Sequence, residues 1–344
     1  MNPRQLNYKM PAEWAEHTRT FISWPIQDSM VYPDNYEQVC TGYAEIIKAI
    51  AEFEPVTVVV NPDELETLNK LFEANSNIEC LPIEHNDAWL RDNGPTFVRN
   101  EAGELAGVNW KFNAWGGKYS PWDLDDAVAP QILKHIATKQ FDAPLVMEGG
   151  SIHSDGEGTI LTTEECLLNE NRNPEMDREQ IEQHLYQYIS ADKVIWLNRG
   201  LSGDETDGHV DNIACFAAPG KVIIQVCNDP ADDNYEITQE NLNILRNVVD
   251  AKGRKLDIIE IEQPPKRMLD DQRLTLSYLN FYFVNGGIIL PVFGGAAEET
   301  DRKAIQVLSE LYPDRKIRTV NGMAIIAEGG NVHCTTQQMP TEQA

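Results

Sequence analysis

Residues 56–83 open with Val56-Thr57-Val58-Val59-Val60-Asn61-Pro62, continue with Leu65, Leu68, Leu71 and Phe72 at helical spacing, and close on a second extended apolar run at 78–83. The β-branched run predicts a strand. Asn61 and Pro62 supply a helix N-cap and a proline suited to the first helical position, and the leucines define an apolar face. The same plan returns twice. One copy runs from 222–226 through Leu242, Leu245 and Val249 to 256–261; another runs from 288–292 through Ala304, Val307, Leu308 and Leu311 to 317–320. Three copies predict an internally repeated α/β chain whose small units, each unable to bury its own apolar face, share one core.

A sharper echo accompanies this plan. Glu148-Gly149-Gly150-Ser151-Ile152-His153 matches Glu328-Gly329-Gly330-Asn331-Val332-His333 at an offset of 328 − 148 = 180 residues. A regular repeat of about 60 residues would place three units between them. Units closed into a ring would bring loops to the axis, where Asp92, Glu148, His209 and Cys334 could meet. Paired glycines suit such crowded turns because they tolerate positive φ and close backbone approach. No Gly/Ser-rich linker divides the 344 residues, which read as one domain, with the polar end at 339–344 expected to fray.

With 28 Lys and Arg against 55 Asp and Glu, the formal net charge is −27. This argues against a duplex-binding protein, because neutralising phosphates needs a clustered excess of cations. A substrate drawn by such a field should be cationic. Residues 1–14 hold no apolar stretch of signal-peptide length, and no window offers about 18 consecutive apolar residues. The expectation is a soluble, cytoplasmic chain with neither a membrane nor a nucleic-acid partner; assembly into a homo-oligomer is left open. Cys40, Cys80, Cys166, Cys215, Cys227 and Cys334 form no CxxC pair and read as reduced thiols, mostly core filler.

Four segments concentrate groups that can do chemistry. Residues 331–338 set Cys334 just after paired glycines, where a nucleophile could reach substrate. Asp204-Glu205-Thr206-Asp207-Gly208-His209-Val210-Asp211-Asn212 gathers five ionisable side chains before an apolar run. If the backbone is extended from Val210, His209 and Asp211 project to one side, a base beside a carboxylate. Asp87-Ala88-Trp89-Leu90-Arg91-Asp92-Asn93-Gly94-Pro95 sets charges and a Trp before a Gly-Pro break, and residues 109–117 place Trp110 and Trp115 near paired glycines. Read singly, each segment has a structural explanation: a buried thiol, a solvated acidic loop, a surface turn, core packing.

Together with Met10-Pro11-Ala12-Glu13-Trp14, Trp24-Pro25 and Glu148-Gly149-Gly150, these segments resemble the agmatine deiminase family, within the guanidino-group-modifying enzymes that include the bacterial peptidylarginine deiminases. The likeness spans nearly the whole chain and departs from the family at Asn93, where many members have Thr. It implies a five-fold pseudosymmetric α/β-propeller built from repeated ββαβ units, and a hydrolase with no cofactor and no metal. Residue by residue, it implies Cys334 as nucleophile, His209 as general acid and base, and Glu148 as the carboxylate near it. Asp92 and Asp211 become the pair that grips a guanidinium.

A guanidinium is planar, resonance-stabilised and charged below about pH 12, so an unaided nucleophile attacks it slowly. Two carboxylates would fix its plane and leave one face open to sulfur. Carboxylates around the site should also raise the Cys334 thiol above its reference of about 8.5 until a cation binds. Asp204, Glu205 and Asp207 favour a substrate ending in an ammonium over one ending in a carboxylate, which makes agmatine the expected substrate. Glu205 is then the expected partner of its far end, with Trp89 and Trp115 as walls along the methylene chain. Deimination of free or peptidyl arginine is the alternative within the class. Outside it stand a metal-dependent hydrolase using His209, Asp211, Glu148 and His153 or His333, and a polyamine-binding module without catalysis. Asp207 and His333 receive no catalytic step.

Overall fold

The computed structural model describes residues 1–27, 29 and 35–342. Among the described residues, five of the six small sheets form the blades, each with one antiparallel pair and at least one parallel neighbour reached through a helix; the sixth is the short hairpin of Met268–Leu269 and Gln272–Arg273. The first blade joins Thr96–Arg99 and Leu105–Lys111 to Lys139–Val146 through the helix Val128–His135. The second joins His153–Ser154 and Thr159–Thr163 to Lys193–Leu197 through Arg178–Ile189. The third joins Ala214–Ala218 and Lys221–Val226 to Asp257–Glu262 through Asn234–Asn247. The fourth joins Tyr282–Val284 and Gly287–Val292 to Lys316–Asn321 through Glu298–Leu311.

The fifth blade is assembled from both ends of the chain. Thr336–Pro340 pairs antiparallel with His17–Ser23, which lies parallel to Val56–Val60 and, beyond it, Ile78–Pro82. The architecture is the five-fold α/β-propeller that the resemblance implies, and its third, fourth and fifth blades are the three repeats read from the sequence. A strand added in parallel needs a crossover, and a helix supplies it while covering one face of the sheet. This is why Val56–Val60, buried at every position, is an unbroken β-branched run. The outer strands Ile78–Pro82, Asp257–Glu262 and Lys316–Asn321 are half-exposed and carry the charges that blunt an open edge.

Tertiary packing corrects several local expectations. Leu71 is 46% exposed, and the helix Leu65–Phe72 buries Leu68 and Phe72 instead. Asn61 caps no helix: its side chain accepts the His85 N–H at 2.9 Å, which ties the strand end to a neighbouring loop. Val249 lies beyond the helix Asn234–Asn247, in a bridge to Lys255. The first two blades escaped the periodicity because their strands are short or alternating; His153–Ser154 has only two residues. Of the end at 339–344 expected to fray, residues 339–341 are held in place, and 343–344 lie outside the described residues. Met339 and Pro340 close the propeller against His17–Ser23, and Thr341 donates its N–H to Glu16 at 2.9 Å and accepts from Arg99 at 2.8 Å. Among the described residues no helix is long and apolar enough to cross a membrane.

The connections from the last strand of one blade to the first strand of the next hold the polar groups. Four contain a short helical turn: Leu90–Asn93, Gly149–Ser151, Val210–Asn212 and Val332–Thr335. The fifth contains Asn280. Leu90–Asn93 packs against Gly149–Ser151 and Val332–Thr335, and Gly149–Ser151 against Val210–Asn212. Asn280 closes the ring, donating to Asn212 Oδ1 at 3.1 Å and accepting the His333 N–H at 3.0 Å. The 180-residue echo thus marks the first and fourth of the connections that follow in chain order from Gly149–Ser151, with three blades between them.

Candidate active site

Beside this ring opens a narrow cavity lined by Cys334 and Asp92, by Trp89, Trp115 and Tyr119, and by Glu205 and Glu328. The Cys334 thiol donates to Asp211 Oδ2 at 3.4 Å and accepts from Asn280 Nδ2 at 3.1 Å. The other oxygen, Asp211 Oδ1, is buried and has no partner among the described residues, so it can accept a ligand's N–H. Asp92 is held from two sides, accepting from Trp115 Nε1 at 2.8 Å and from the Gly150 N–H at 3.0 Å. His209 is fully buried, its Nδ1 3.8 Å from Asp92 Oδ1 and its Nε2 3.6 Å from Glu148 Oε2. Those distances allow charge pairing and are too long for hydrogen bonds. Glu148 accepts from Arg172 Nε at 2.7 Å.

One glycine shows how tightly these groups converge. A Cβ on Gly150 would lie 2.6 Å from His209 Nδ1, 2.9 Å from Asp92 Oδ1 and 3.0 Å from Asp211 Oδ2. The imidazole and both carboxylates therefore share one small volume that any side chain at this position would fill. Cys334 and His209 flank the same carboxylate, Asp211. Trp115 reaches Asp92 only because residues 114–117 all take positive φ, with Trp115 itself at φ 54°, a strained local backbone of the kind found at functional sites.

The electrostatics follow from burial and charge. Burial, then Asp211 and Asp92, push the Cys334 thiol well above the ordinary cysteine range, the direction expected from the acidic motifs. Burial also raises Asp92, to about 6; His209 opposes the shift, while Glu148 and Asp211 add to it. Burial works against charge on Glu148, yet Arg172 and His209 hold its carboxyl below the usual range. His209 is likewise disfavoured as a cation by burial, but Asp92, with Cys166 and Glu148 behind it, keeps it well above ordinary imidazole. At neutral pH the free enzyme thus pairs a neutral thiol with a charged imidazole.

Cys334, Asp92, Asp211, His209 and Glu148, named from sequence, lie together; of these Cys334 and Asp92 line the cavity, with Trp89, Trp115 and Glu205. His209 and Asp211 join this cluster differently from the extended backbone anticipated: Val210–Asn212 is a 3₁₀ turn, and the strand begins only at Ala214. Of the three acidic residues before His209, one faces the cavity. Asp204 is half-buried and accepts from Thr206 Oγ1, and Asp207 is tied to Lys118 and Arg172 at 2.7 Å each. The histidines offered to a metal do not join His209: His153 and His333 both turn to Glu13. Among the described residues, one group could ligate a metal, Glu148, Cys166 and His209, where Arg172 already occupies Glu148. Sequence reading missed Arg172, Asn280, Tyr119 and Glu328. Asn280 had a usable signal, as a polar residue inside the apolar run 278–284.

A buried thiol, an imidazole and two carboxylates at the inter-blade turns of an α/β-propeller define the guanidino-group-modifying hydrolases. Residues 9–340 match the model of the Porphyromonas-type peptidyl-arginine deiminase family. The agmatine deiminase of Stutzerimonas stutzeri is 44% identical, the alignment covering 98% of this chain and 97% of that protein; that of Pseudomonas syringae pv. syringae is 42% identical with the same coverage. A solved agmatine deiminase of Enterococcus faecalis superposes with a TM-score of 0.92 at 37% identity, over 99% of this chain and 98% of that one. The chain belongs to the Porphyromonas-type peptidyl-arginine deiminase family.

Proposed function

We propose that the protein hydrolyses agmatine to N-carbamoylputrescine and ammonia through a covalent intermediate on Cys334. One observation carries this reading. Asp211 holds the thiol with one carboxylate oxygen at 3.4 Å and keeps the other buried and without a partner among the described residues, which suits a guanidinium N–H beside the sulfur. Asp92, anchored by Trp115 and Gly150, takes the second edge of the cation, so the plane is fixed and one face meets Cys334.

Binding the cation favours the thiolate, the thiol proton passing to solvent, and the sulfur then adds to the guanidinium carbon. His209 gives its proton to one amino group, and ammonia leaves as the C–N bond breaks, with an S-alkylthiouronium remaining on Cys334. The neutral imidazole then takes a proton from water while the hydroxide adds to the same carbon. Collapse breaks the C–S bond, the hydroxyl proton passes to the departing sulfur, and the ureido product leaves with the Cys334 thiol restored; the proton given up when the thiolate formed converts the released ammonia to ammonium. Glu148, kept ionised by Arg172, favours the imidazolium between turnovers.

The far end of the cavity supports a diamine-like substrate. Glu205 and Glu328 line it, Tyr119 donates to Glu205 Oε2 at 2.7 Å, and no Arg or Lys is among the lining residues to receive a carboxylate. Trp89 and Trp115 supply the walls for the methylene chain. We place the enzyme in the cytoplasm, a setting its six free cysteines support. The test compares ammonia and ureido product formed from agmatine, free arginine and a C-terminal arginyl peptide. Agmatine should exceed both in kcat/KM by about a hundredfold or more, since a buried carboxylate facing Glu205 and Glu328 costs several kcal/mol. A preference for either arginine substrate overturns the reading.

A further inference from the structure

Glu13 lines no part of the cavity, yet three segments of the ring converge on it. His333 Nε2 lies 2.9 and 3.0 Å from its two oxygens, Arg91 Nη1 3.5 Å from Oε1 and His153 Nε2 3.5 Å from Oε2, all of them buried. Arg91 precedes Asp92 in the chain, His333 precedes Cys334, and His153 follows the turn after Glu148. The two histidines of the internal echo therefore meet on one carboxylate, their rings 6.4 Å apart and inclined by 29°.

His333 has a second contact that fixes its charge. Its Nδ1 stands 2.9 Å from Asp211 Oδ2, the oxygen that also takes the Cys334 thiol. An imidazole held between two carboxylates can donate to both only when both nitrogens carry protons; the neutral ring would turn a lone pair toward an anion on one side. The charged and titratable groups facing His333 are Glu13 and Asp211, which favour its cation, and Arg91, which opposes it together with burial; His153 stacks alongside.

We propose that Glu13 is a positioning residue: it holds His333 as an imidazolium, and His333 holds Asp211 ionised, with Oδ2 on the thiol and Oδ1 toward the substrate. The inference rests on the reading of Asp211 as the guanidinium acceptor. Its support is geometric, and the electrostatics agree, since His333 is the group that outweighs burial and keeps Asp211 below the ordinary carboxylate range.

Glu13→Gln separates charge from hydrogen bonding. The amide can donate to Nε2 of a neutral His333 whose Nδ1–H still serves Asp211, so the contacts survive and the cation does not. Asp211, buried near Asp92 and without the imidazolium, should then take up a proton at higher pH. In a profile of kcat/KM for agmatine from about pH 5.5 to 9.5, the acidic limb should move up by about one unit or more. The loss should be about tenfold or more near pH 6.5 and shrink to less than about threefold near pH 9. A loss of equal size at every pH marks a merely structural residue and overturns the proposal, as does a profile that superimposes on the wild type. A second measurement needs no variant activity. In ¹⁵N-histidine-labelled wild type near pH 8, the signal absent from His333→Gln should show protons on both ring nitrogens, and a singly protonated ring overturns the proposal. A wild type inactive on agmatine would sink the functional reading alone, because the nitrogen spectrum would still decide the charge of His333.

Discussion

A guanidinium ligand should convert Cys334 from thiol to thiolate, by an amount that follows from the site. In the free enzyme, burial, Asp211 and Asp92 hold the thiol well above the ordinary cysteine range. A productive guanidinium brings its carbon to about 3–3.5 Å from sulfur. With charge centres about 4 Å apart and an effective dielectric near 20, one positive charge favours the thiolate by about 4 kcal/mol. Each pK unit corresponds to about 1.4 kcal/mol, so the thiol should fall by about two to three units once solvent screening at the open side of the cavity is allowed for. The assay is ultraviolet thiolate absorbance titrated against pH, with and without a saturating guanidinium ligand that cannot be hydrolysed, after subtracting the Cys334→Ser protein. An apparent pKa near about 5 in the free enzyme would refute the reasoning. So would a midpoint that the ligand leaves unmoved.

Other consequences are equally open to measurement. Burial lifts Asp92 from an ordinary carboxylate to about 6. An acid with a raised folded-state pKa binds more protons in the native protein, so its contribution falls as pH rises from about 4 to 6. The unfolding free energy of wild type relative to Asp92→Asn should accordingly drop by about 3 kcal/mol between pH 4 and 7 in denaturant titrations, and a constant difference would count against the shift. Arg172→Met removes the cation shared by Glu148 and Asp207. Leaving a buried carboxylate uncompensated should cost about 3–5 kcal/mol by chemical denaturation and lower kcat more than it raises KM, whereas a neutral effect would show that Glu148 has other support. Glu205→Gln should raise KM for agmatine about tenfold or more while leaving an alkylguanidine without the terminal ammonium within about twofold; equal losses on both would remove Glu205 from substrate recognition.

The legible parts of the fold were those where local pattern and tertiary role coincide. The run Val56–Val60 reads as a strand because it is covered on both faces, and Leu242 and Leu245 read as a helix face because they are buried in the core shared by the second and third blades. Legibility failed where a short segment is held by partners distant in sequence. The strand His153–Ser154 has no periodicity to detect, and residues 339–341 look like a polar tail until the pairing with His17–Ser23 is seen. Asn61 reads as a cap, but a loop N–H claims its side chain first. In the site, the residues set in motifs with glycines were visible. Arg172 was not, because nothing in its neighbourhood announces that it will meet Glu148.

The chain's own residues determined the charge of the ligand it attracts, the presence of a repeated α/β plan and the inventory of thiol, imidazole and carboxylates. Those are properties of composition and spacing, and they survive without coordinates. Only the closure of five blades decided which of these groups touch. It turned Asp207 away to Lys118 and Arg172, brought Glu328 to the cavity and set Asn280 on the sulfur. It also gathered His153 and His333 onto Glu13. The reason is geometric: each inter-blade turn is local, but its neighbours in the ring come from blades tens to hundreds of residues away, and no local pattern encodes a contact between them.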